Sequence, residues 1–383
     1  MLYDKGLFKY EDRVSKHWPE FGLNGKENIR IVDVLRHESG LAWFTTSIPS
    51  IRDAWKDNIK RNKIGKIIED EPLHFPTYEY LDSQSEFHTV TRGLIVNEIV
   101  RRIDPKVRFL STFCLHLSAV CFQGRTLGEI LNEDIDIDGV NLGIKVDEYY
   151  TQALESIKPK DKPNFFKRCF ATLKTKCSKP EVQKLNKNLQ HVLKGNDGKP
   201  PVFHDLKAKD LESLQQNSSF IQAQVSGLNV QANARGCAEL ASLMACQGFP
   251  LMSYDTWKEI HSTPKMGILN AEGEIVRSNF TKGGINSFEK MEYVSKLEAL
   301  HMFKNREGYF GWFGFGGSIL MWHPVLQIGF AFVPTQLNTH DFFNTKGAIL
   351  QQLVKESALA AMRKQQQGLP NVPIRSKYGV LKL

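Results

Sequence analysis

The stretch "GYFGWFGFGGSILMWHPVLQIGFAFVPTQ", residues 308–336, carries the pattern that decides the fold class. Apolar residues alternate with other residues along two arms, which is the period of a half-buried β-strand. His323-Pro324 lies in the connection, so the stretch is predicted to form a β-hairpin. The alternating residues are Ile319 and Met321 on the first arm, and Ile328, Phe330 and Phe332 on the second.

An amphipathic helix is predicted directly after this hairpin, in "NTKGAILQQLVKESALAAMRKQQ". Its apolar residues recur at helical spacing, and we expect them to face the protein interior. Strands near the end of a chain, closed by a helix, are typical of an α+β domain. The residues expected to face inward are Leu350, Leu353, Val354, Ala358 and Met362.

Three more helices are predicted upstream. One spans "NIRIVDVLRHESGLAWF" and ends at Gly40, and a second begins within "SEFHTVTRGLIVNEIV", residues 85–100, after the short polar segment at its start. The third begins between Ala232 and Arg235 and ends at Gly248. Residues 256–305 are predicted to be rich in loops, with one short helix near Trp257. The residues assigned to single faces are Ile31, Val34 and Leu35 in the first helix, Val96, Ile99, Val100 and Ile103 in the second, and Leu240, Leu243 and Met244 in the third.

The composition is that of an ordinary globular protein: 383 residues, 41% hydrophobic and 24% charged. No window is apolar enough for a membrane helix, and the charged N-terminus resembles neither a signal peptide nor a transit peptide. The six cysteines form no CxxC pair and have no histidine at zinc spacing. We therefore expect free thiols in a reducing, intracellular compartment, most simply the cytoplasm, and no metal or other cofactor.

The residues from Lys158 to Lys199 carry a net charge of +9, from twelve Lys and Arg residues and three acidic residues, whereas the whole chain carries +8. Pro and Gly stand at both ends, which favours an exposed basic excursion over residues 158–200. Such a segment could contact an anionic surface, or it could be a solvated linker. No motif for specific nucleic-acid binding accompanies it.

Four motifs in order resemble the serine β-lactamase-like family: "VDVLRHESGL", "HTVTRGLIVNEIVRRIDP", "VSGLNVQANARG" and "GFGGSILMWHPVLQIGFAFV". The similarity is to the class C β-lactamase, penicillin-binding and esterase-like branch, which includes animal β-lactamase-related proteins. It implies an α+β, transpeptidase-like fold with an antiparallel sheet flanked by helices. We expect one such domain over residues 1–365 and a tail over 366–383.

The resemblance also implies a chemistry. A serine in an S-x-x-K motif is the nucleophile, a tyrosine helps as general base, and a K-T-G or H-x-G motif on an edge strand flanks the oxyanion hole. A hydroxyl nucleophile needs a base within hydrogen-bond reach and donors aimed at the oxyanion. The S-x-x-K helix should precede the segment that here begins at Met1, so we expect this chain to lack the N-terminal strands and the nucleophile helix.

The expected catalytic positions are degenerate. Phe87 occupies the tyrosine position and Trp312 the Lys or His position. His88 is a weak candidate for a base and is otherwise a packing or surface histidine. His37 matches a structural position, and Asn97 lies one helical turn too far along to stand beside Phe87. By resemblance, the residues that line the groove are Phe87, His88, Gly314, Gly316, Gly317 and Ser318.

Two other sequences match the letters of the S-x-x-K motif, Ser262–Lys265 and Ser287–Lys290, but both lie far downstream. Pro264 is unsuited to the interior of a helical turn. Neither is expected to be the nucleophile.

The residues Val107–Gln123 interrupt the family pattern, and their ends can be encoded by splice-donor and splice-acceptor sequences. We interpret this run as a retained intron, with a genuine apolar insertion as the alternative.

Three functional hypotheses follow. The first is a pseudoenzyme: a non-catalytic or truncated family member that retains a groove for a peptide, lipid or protein partner. The second is a serine hydrolase, an esterase or peptidase, whose S-x-x-K motif is encoded by an exon outside this sequence. A mitochondrial location becomes possible if an N-terminal targeting exon also lies outside this sequence. The third is a scaffold that polymerises or contacts a membrane through the basic excursion.

Overall fold

The computed structural model describes most of the chain outside two long gaps. Residues 107–123, which the retained-intron hypothesis concerns, lie outside the described residues. The same holds for residues 158–194 of the basic excursion, Gly316 and Lys290. The described residues are 1–74, 84–105, 125–134, 195, 199–207, 214, 217–227, 230, 232–271, 274–289, 303–314, 317–334, 345–367, 375–376 and 379–380.

The first part of the chain forms a helical layer around one apolar core, in which Val14, Trp18, Phe21, Leu41 and Ile95 are among the buried side chains. Most of its helices are short, so packing of their apolar faces stabilises them more than helix propensity does. The helices are α1 Val14–His17, α2 Ile31–Leu35, α3 Lys56–Lys60, α4 Lys63–Asp70, α5 Thr91–Ile103, α6 Leu127–Asp134 and α7 Ser218–Gln222, with 3₁₀ turns at Pro19–Gly22 and Ile51–Ala54.

Helix α2 ends earlier than the sequence predicts. Its last residue is Leu35, and His37 already has a φ of 63°, in the left-handed region. A residue in this conformation cannot continue a right-handed helix. Gly40 also has a positive φ, but it belongs to the loop that follows and is not the residue that ends α2. The predicted end at Gly40 was therefore wrong by about one turn.

Helix α5 confirms the predicted helix after residues 85–90, but its buried face is wider than the pattern indicated. Leu94 and Ile95 are buried together with Ile99 and Ile103, whereas Val96 and Val100 are only half-buried. The helix is thus packed on several sides by α1, α2 and α4.

Two three-stranded sheets form the second part of the fold. In the first, β1 (Gln84–Glu86) pairs in parallel with β2 (Lys265–Ala271), which pairs antiparallel with β3 (Glu274–Phe280). The region of β2 and β3 was expected to be loop-rich, so these strands correct that prediction. The second sheet is an antiparallel meander of β4 (Phe310–Phe313), β5 (Ile319–His323) and β6 (Ile328–Phe332).

The predicted hairpin is confirmed by β5 and β6. Ile319 and Met321 are buried on β5, and Ile328 and Phe330 are buried on β6. Phe332 is half-buried and packs against the same cluster. His323 is the last residue of β5, where it pairs with Ile328, rather than part of the connection.

Helices cover this meander. Helix α8 (Ala234–Ala245) packs on β5 and β6, and its backbone at Ser242 comes so close to Gly329 that a side chain there would collide with it. Helix α9 (Tyr254–Ile260) confirms the short helix near Trp257. The short strands β7 (Arg375–Ser376) and β8 (Gly379–Val380) pair with each other.

Helix α10 (Thr345–Gln366) confirms the predicted C-terminal helix but reverses most of its predicted orientation. Only Ala358 of the five residues expected inside packs against the core of the meander. The side that faces the protein carries Gly347 and Gln351 instead. The residues wrongly expected to face inward are Leu350, Leu353, Val354 and Met362, which are exposed.

Gly311 on β4 offers a test of the meander's geometry. Its φ is 117°, and a Cβ at this position would collide with the carbonyl oxygen of Leu320 on β5. Gly311→Ala should therefore lower the free energy of unfolding by about 2 kcal/mol or more, measured by urea denaturation. Gly267→Ala on β2 is the matched control, because a Cβ added there would lie 3.5 Å from the hydroxyl oxygen of Ser278, which is an ordinary van der Waals contact. Equal, small effects of both variants would contradict this geometry.

Candidate functional site

Two buried histidines connect the loop after α2 to the segment before α5. His37 lies in the left-handed region just after α2, and its Nδ1 accepts a hydrogen bond from the backbone N–H of His88, at 2.9 Å. Since an amide can only donate, Nδ1 of His37 carries no proton and the neutral ring is protonated on Nε2. This backbone-to-side-chain bond links residues 51 positions apart in the sequence.

His88 is held by three further groups. The backbone N–H of Leu41 donates to its Nε2 at 3.2 Å, and the hydroxyl of Ser39 lies 2.9 Å from the same nitrogen. Its Nδ1 lies 2.7 Å from the carbonyl oxygen of Glu86. The amide fixes the tautomer: Nδ1–H donates to Glu86, and Nε2 accepts from both Leu41 and Ser39. The lone pair of His88 is therefore already occupied by donors of the protein itself.

Burial keeps both imidazoles neutral. Desolvation lowers the pKa of His88 to about 4 and holds the pKa of His37 well below its usual range, and the charge of Arg92 adds to both shifts. Arg92 donates to the carbonyl of Leu35 at 3.1 Å, and burial lowers its own pKa to about 10. A guanidinium with this pKa stays charged at neutral pH, which further disfavours protonation of the two histidines.

An aromatic row crosses the site, which we define as Phe87, His37, Phe280 and Trp312. The rings of His37 and Phe87 are stacked, with centroids 4.4 Å apart and an interplanar angle of 23°. Phe280, at the end of β3, lies 5.2 Å from His37 and 5.9 Å from Trp312 on β4. The row thus joins Phe87 and Trp312, the two positions at which the resemblance expects catalytic side chains. Sequence reasoning missed Phe280, because no motif marked the end of β3.

The glycines after β4 form the tight turn of the predicted groove. The N–H of Gly314 donates to the carbonyl of Ser318 at 2.7 Å, and the N–H of Gly317 donates to the carbonyl of Gly314. Gly317 has a φ of 106°, which favours glycine, and a Cβ on Gly314 would press on the Ser318 hydroxyl. These residues sit two to six positions beyond Trp312 in the chain and shape the turn between β4 and β5.

The alternative S-x-x-K matches have no catalytic geometry among the described residues. The hydroxyl of Ser262 donates to the carbonyl of Glu259 at 2.7 Å, and Lys265 is the first residue of β2, where it forms an ion pair with Glu38 at 2.8 Å. Ser287 is fully buried and bridges to Phe310. The residues Ser262–Lys265 do not form a helical turn, and the described residues of the second motif, 287–289, are not helical.

Asn97 has a structural role on α5. Its side-chain oxygen accepts a hydrogen bond from the backbone N–H of Leu127 at 2.9 Å, at the start of α6. This ties α6 to α5. Within the described residues, no group of three or more His, Cys, Asp and Glu side chains is arranged to hold a metal ion.

The basic excursion touches the site at its C-terminal end. The ammonium of Lys199 pairs with the Glu86 carboxylate at 3.0 Å and lies 4.6 Å from the ring centroid of Trp43. Trp43 stacks on His74, whose Nε2 lies 2.6 Å from the carboxylate of Glu71. Hydrogen bonds from His74, Thr45 and Thr46 lower the pKa of Glu71 to about 2, although burial opposes this shift. A charged and aromatic rim therefore borders the histidine pair.

Solved structures share this architecture. A penicillin-binding protein homolog from Caulobacter crescentus matches with a TM-score of 0.61 and 20% sequence identity, covering 93% of this chain and 78% of the homolog. A family VIII carboxylesterase matches with a TM-score of 0.60 and 18% identity, again covering 93% of this chain and 78% of the other. At this identity the matches define the class of fold, which is the β-lactamase and transpeptidase type with helices and small antiparallel sheets.

Sequence comparisons agree with the fold. The family model "Beta-lactamase" matches residues 1–111. The curated esterase/beta-lactamase LipL of Mycobacterium tuberculosis (strain ATCC 25618 / H37Rv) is 29% identical over 161 residues, which are 42% of this chain and 31% of LipL. The chain thus spans about a third of the length of that relative. The family model and this relative agree with the resemblance to the serine β-lactamase-like family that the four motifs indicated.

Among the residues that the structure describes, no helix combines the length and the apolar character that crossing a bilayer requires.

The state of His88 can be measured. We expect its imidazole to titrate with a pKa of about 4 in the folded protein, against about 6.5 in the unfolded chain, because it is buried and accepts two hydrogen bonds. As pH falls from about 6.5 toward 4, only the unfolded state gains this proton, so stability should fall over that window. NMR titration of the ring signals gives the pKa directly. Urea midpoints at pH 7 and pH 5 should show that His88→Gln loses less stability over this pH range than the unmodified protein does. A pKa near 6.5 for His88 in the folded protein would refute the assignment.

Proposed function

We propose that this chain is a non-catalytic member of the serine β-lactamase-like family that uses its groove to bind a peptide, lipid or protein partner. The stacking of Phe87 on His37 carries the proposal. The resemblance expects a tyrosine hydroxyl at this position to move a proton during catalysis. Phenylalanine offers the same ring without an ionisable group, so the position can support packing but not acid–base chemistry.

The neighbouring groups do not replace the missing base. Nε2 of His88 accepts from Leu41 and Ser39, and its pKa of about 4 makes it a weak base. Trp312 provides an indole N–H, which can donate a hydrogen bond but cannot carry the positive charge of lysine. An efficient general base has a pKa near the working pH and a free lone pair directed at the substrate. His88 meets neither requirement.

The aromatic row supports a binding role instead. Its inner members, His37 and Phe280, are buried, while Phe87 and Trp312 at its two ends are half-buried. Half-buried aromatic rings offer large apolar area with little loss of side-chain entropy, which is typical of ligand and protein contacts. Because the buried pair holds the rings in place, the surface is organised before a partner arrives.

A serine hydrolase is the second candidate. The curated relative bears the name esterase/beta-lactamase, and this chain spans 31% of it, so residues outside this sequence could complete a catalytic centre. In this case a nucleophile and a base would both have to come from elsewhere. The two hypotheses differ in one observable property, which is whether any serine of the native protein is activated.

A fluorophosphonate probe applied to the protein purified from its natural source tests that property. We expect no covalent labelling and no hydrolysis of p-nitrophenyl butyrate above the rate of protein that was denatured by heat. An active serine hydrolase labelled beside it shows that the probe is competent. Labelling of the native protein, with the modified serine located by mass spectrometry, would overturn the pseudoenzyme proposal and establish the hydrolase.

A further inference from the structure

Helix α10 has an apolar surface on its outer side. Ile349, Leu350, Leu353 and Val354 are 54%, 46%, 54% and 39% exposed, and we call these four side chains the outer stripe. The opposite side of the helix carries the buried Gln351 and packs on the meander. A helix at the surface of a globular protein normally presents polar residues to water. A contiguous set of exposed apolar residues instead marks an interaction site.

The charges beside the outer stripe indicate what covers it. Lys346 is exposed one turn before Ile349, and Glu356 is exposed shortly after Val354. The stripe is symmetric along the helix, because Ile349 and Val354, and likewise Leu350 and Leu353, are equally far from the midpoint between residues 351 and 352. Lys346 and Glu356 are nearly symmetric about the same point and have opposite charges.

We propose that the outer stripe docks against the same stripe of a second copy of this chain, with the two α10 helices antiparallel about a twofold axis near residues 351 and 352. An isologous contact of this kind buries one patch on both copies. Ile349 then lies against Val354 of the other copy and Leu350 against Leu353. Lys346 of each copy lies beside Glu356 of the other, which places two opposite-charge pairs at the ends of the contact.

Charge excludes the competing arrangements of two copies. A parallel pair of helices would place Lys346 beside Lys346. An antiparallel pair shifted toward the C-terminus would bring Lys346 next to Arg363 and Lys364, which are exposed at the end of α10. Like charges at an interface oppose association and select against the wrong register. Only the register centred near residues 351 and 352 matches both the apolar and the charged positions.

Sedimentation velocity of the full chain over a range of micromolar concentrations tests the contact. We expect a reversible monomer–dimer equilibrium, and Leu353→Glu should weaken dimerisation at least about tenfold by placing a charge in the apolar centre. Leu23→Glu is the control, because Leu23 is 56% exposed in the helical layer, directly after the 3₁₀ turn Pro19–Gly22, whereas α10 packs on the meander. It should leave the dimerisation constant unchanged. Circular dichroism should show that both variants stay folded, since the replaced side chains are exposed.

Charge reversal tests the register. Lys346→Glu and Glu356→Lys should each weaken the dimer, and the double variant should restore it, because the opposite-charge pairs re-form across the twofold axis. A chain that stays monomeric at every concentration would overturn the proposal. So would a dimer that tolerates Leu353→Glu, or one whose single charge reversals are not rescued in the double variant.

Discussion

The hydrogen bond from the backbone amide of His88 to Nδ1 of His37 is the constraint on which the site depends. It holds a buried residue in the left-handed region after α2, and it fixes the start of the segment that leads into α5. The same ring of His37 contacts both Phe87 and Phe280, so one side chain connects the helical layer to β3. Replacing His37 by an apolar residue would leave the buried N–H of His88 without its partner, and a lost partner of this kind costs about 1–3 kcal/mol.

Local patterns predicted the parts of the fold that are stabilised locally. The hairpin of β5 and β6 and the helices α5, α8 and α9 followed from periodicity and turn residues. Strands β2 and β3 were missed although they pair with each other across a short connection, from Ala271 to Glu274. Only the parallel pairing of β1 with β2 joins segments that are far apart in the sequence, and such pairings leave little local signal. The orientation of α10 was wrong because apolar residues occupy both of its sides, and periodicity alone cannot say which side meets the core.

The motifs named residues of the candidate site, but they gave no information on its contacts. Phe87, His88 and Trp312 were named from the motifs, and His37 was assigned a structural role that the geometry supports. Four segments distant in sequence supply the aromatic row, and only packing brings them together. The tautomer of His88 also required the three-dimensional contacts, since the amide of Leu41 decides which nitrogen carries the proton. A motif identifies a residue type, whereas its chemistry depends on which neighbours already use its donors and acceptors.

These contacts explain why a phenylalanine fits the position at which the resemblance expects a tyrosine. The packing between Phe87 and His37 needs a flat ring, and phenylalanine provides one as well as tyrosine does. Trp312 likewise packs between Phe280 and Phe313, where a lysine would leave the row open. The contacts among these side chains therefore rest on rings and on a neutral histidine pair, and none of them requires a proton-transfer group. A hydrolase built on this chain would have to bring both its nucleophile and its base from other residues, and it would have to place them beside a surface that is already filled with aromatic side chains.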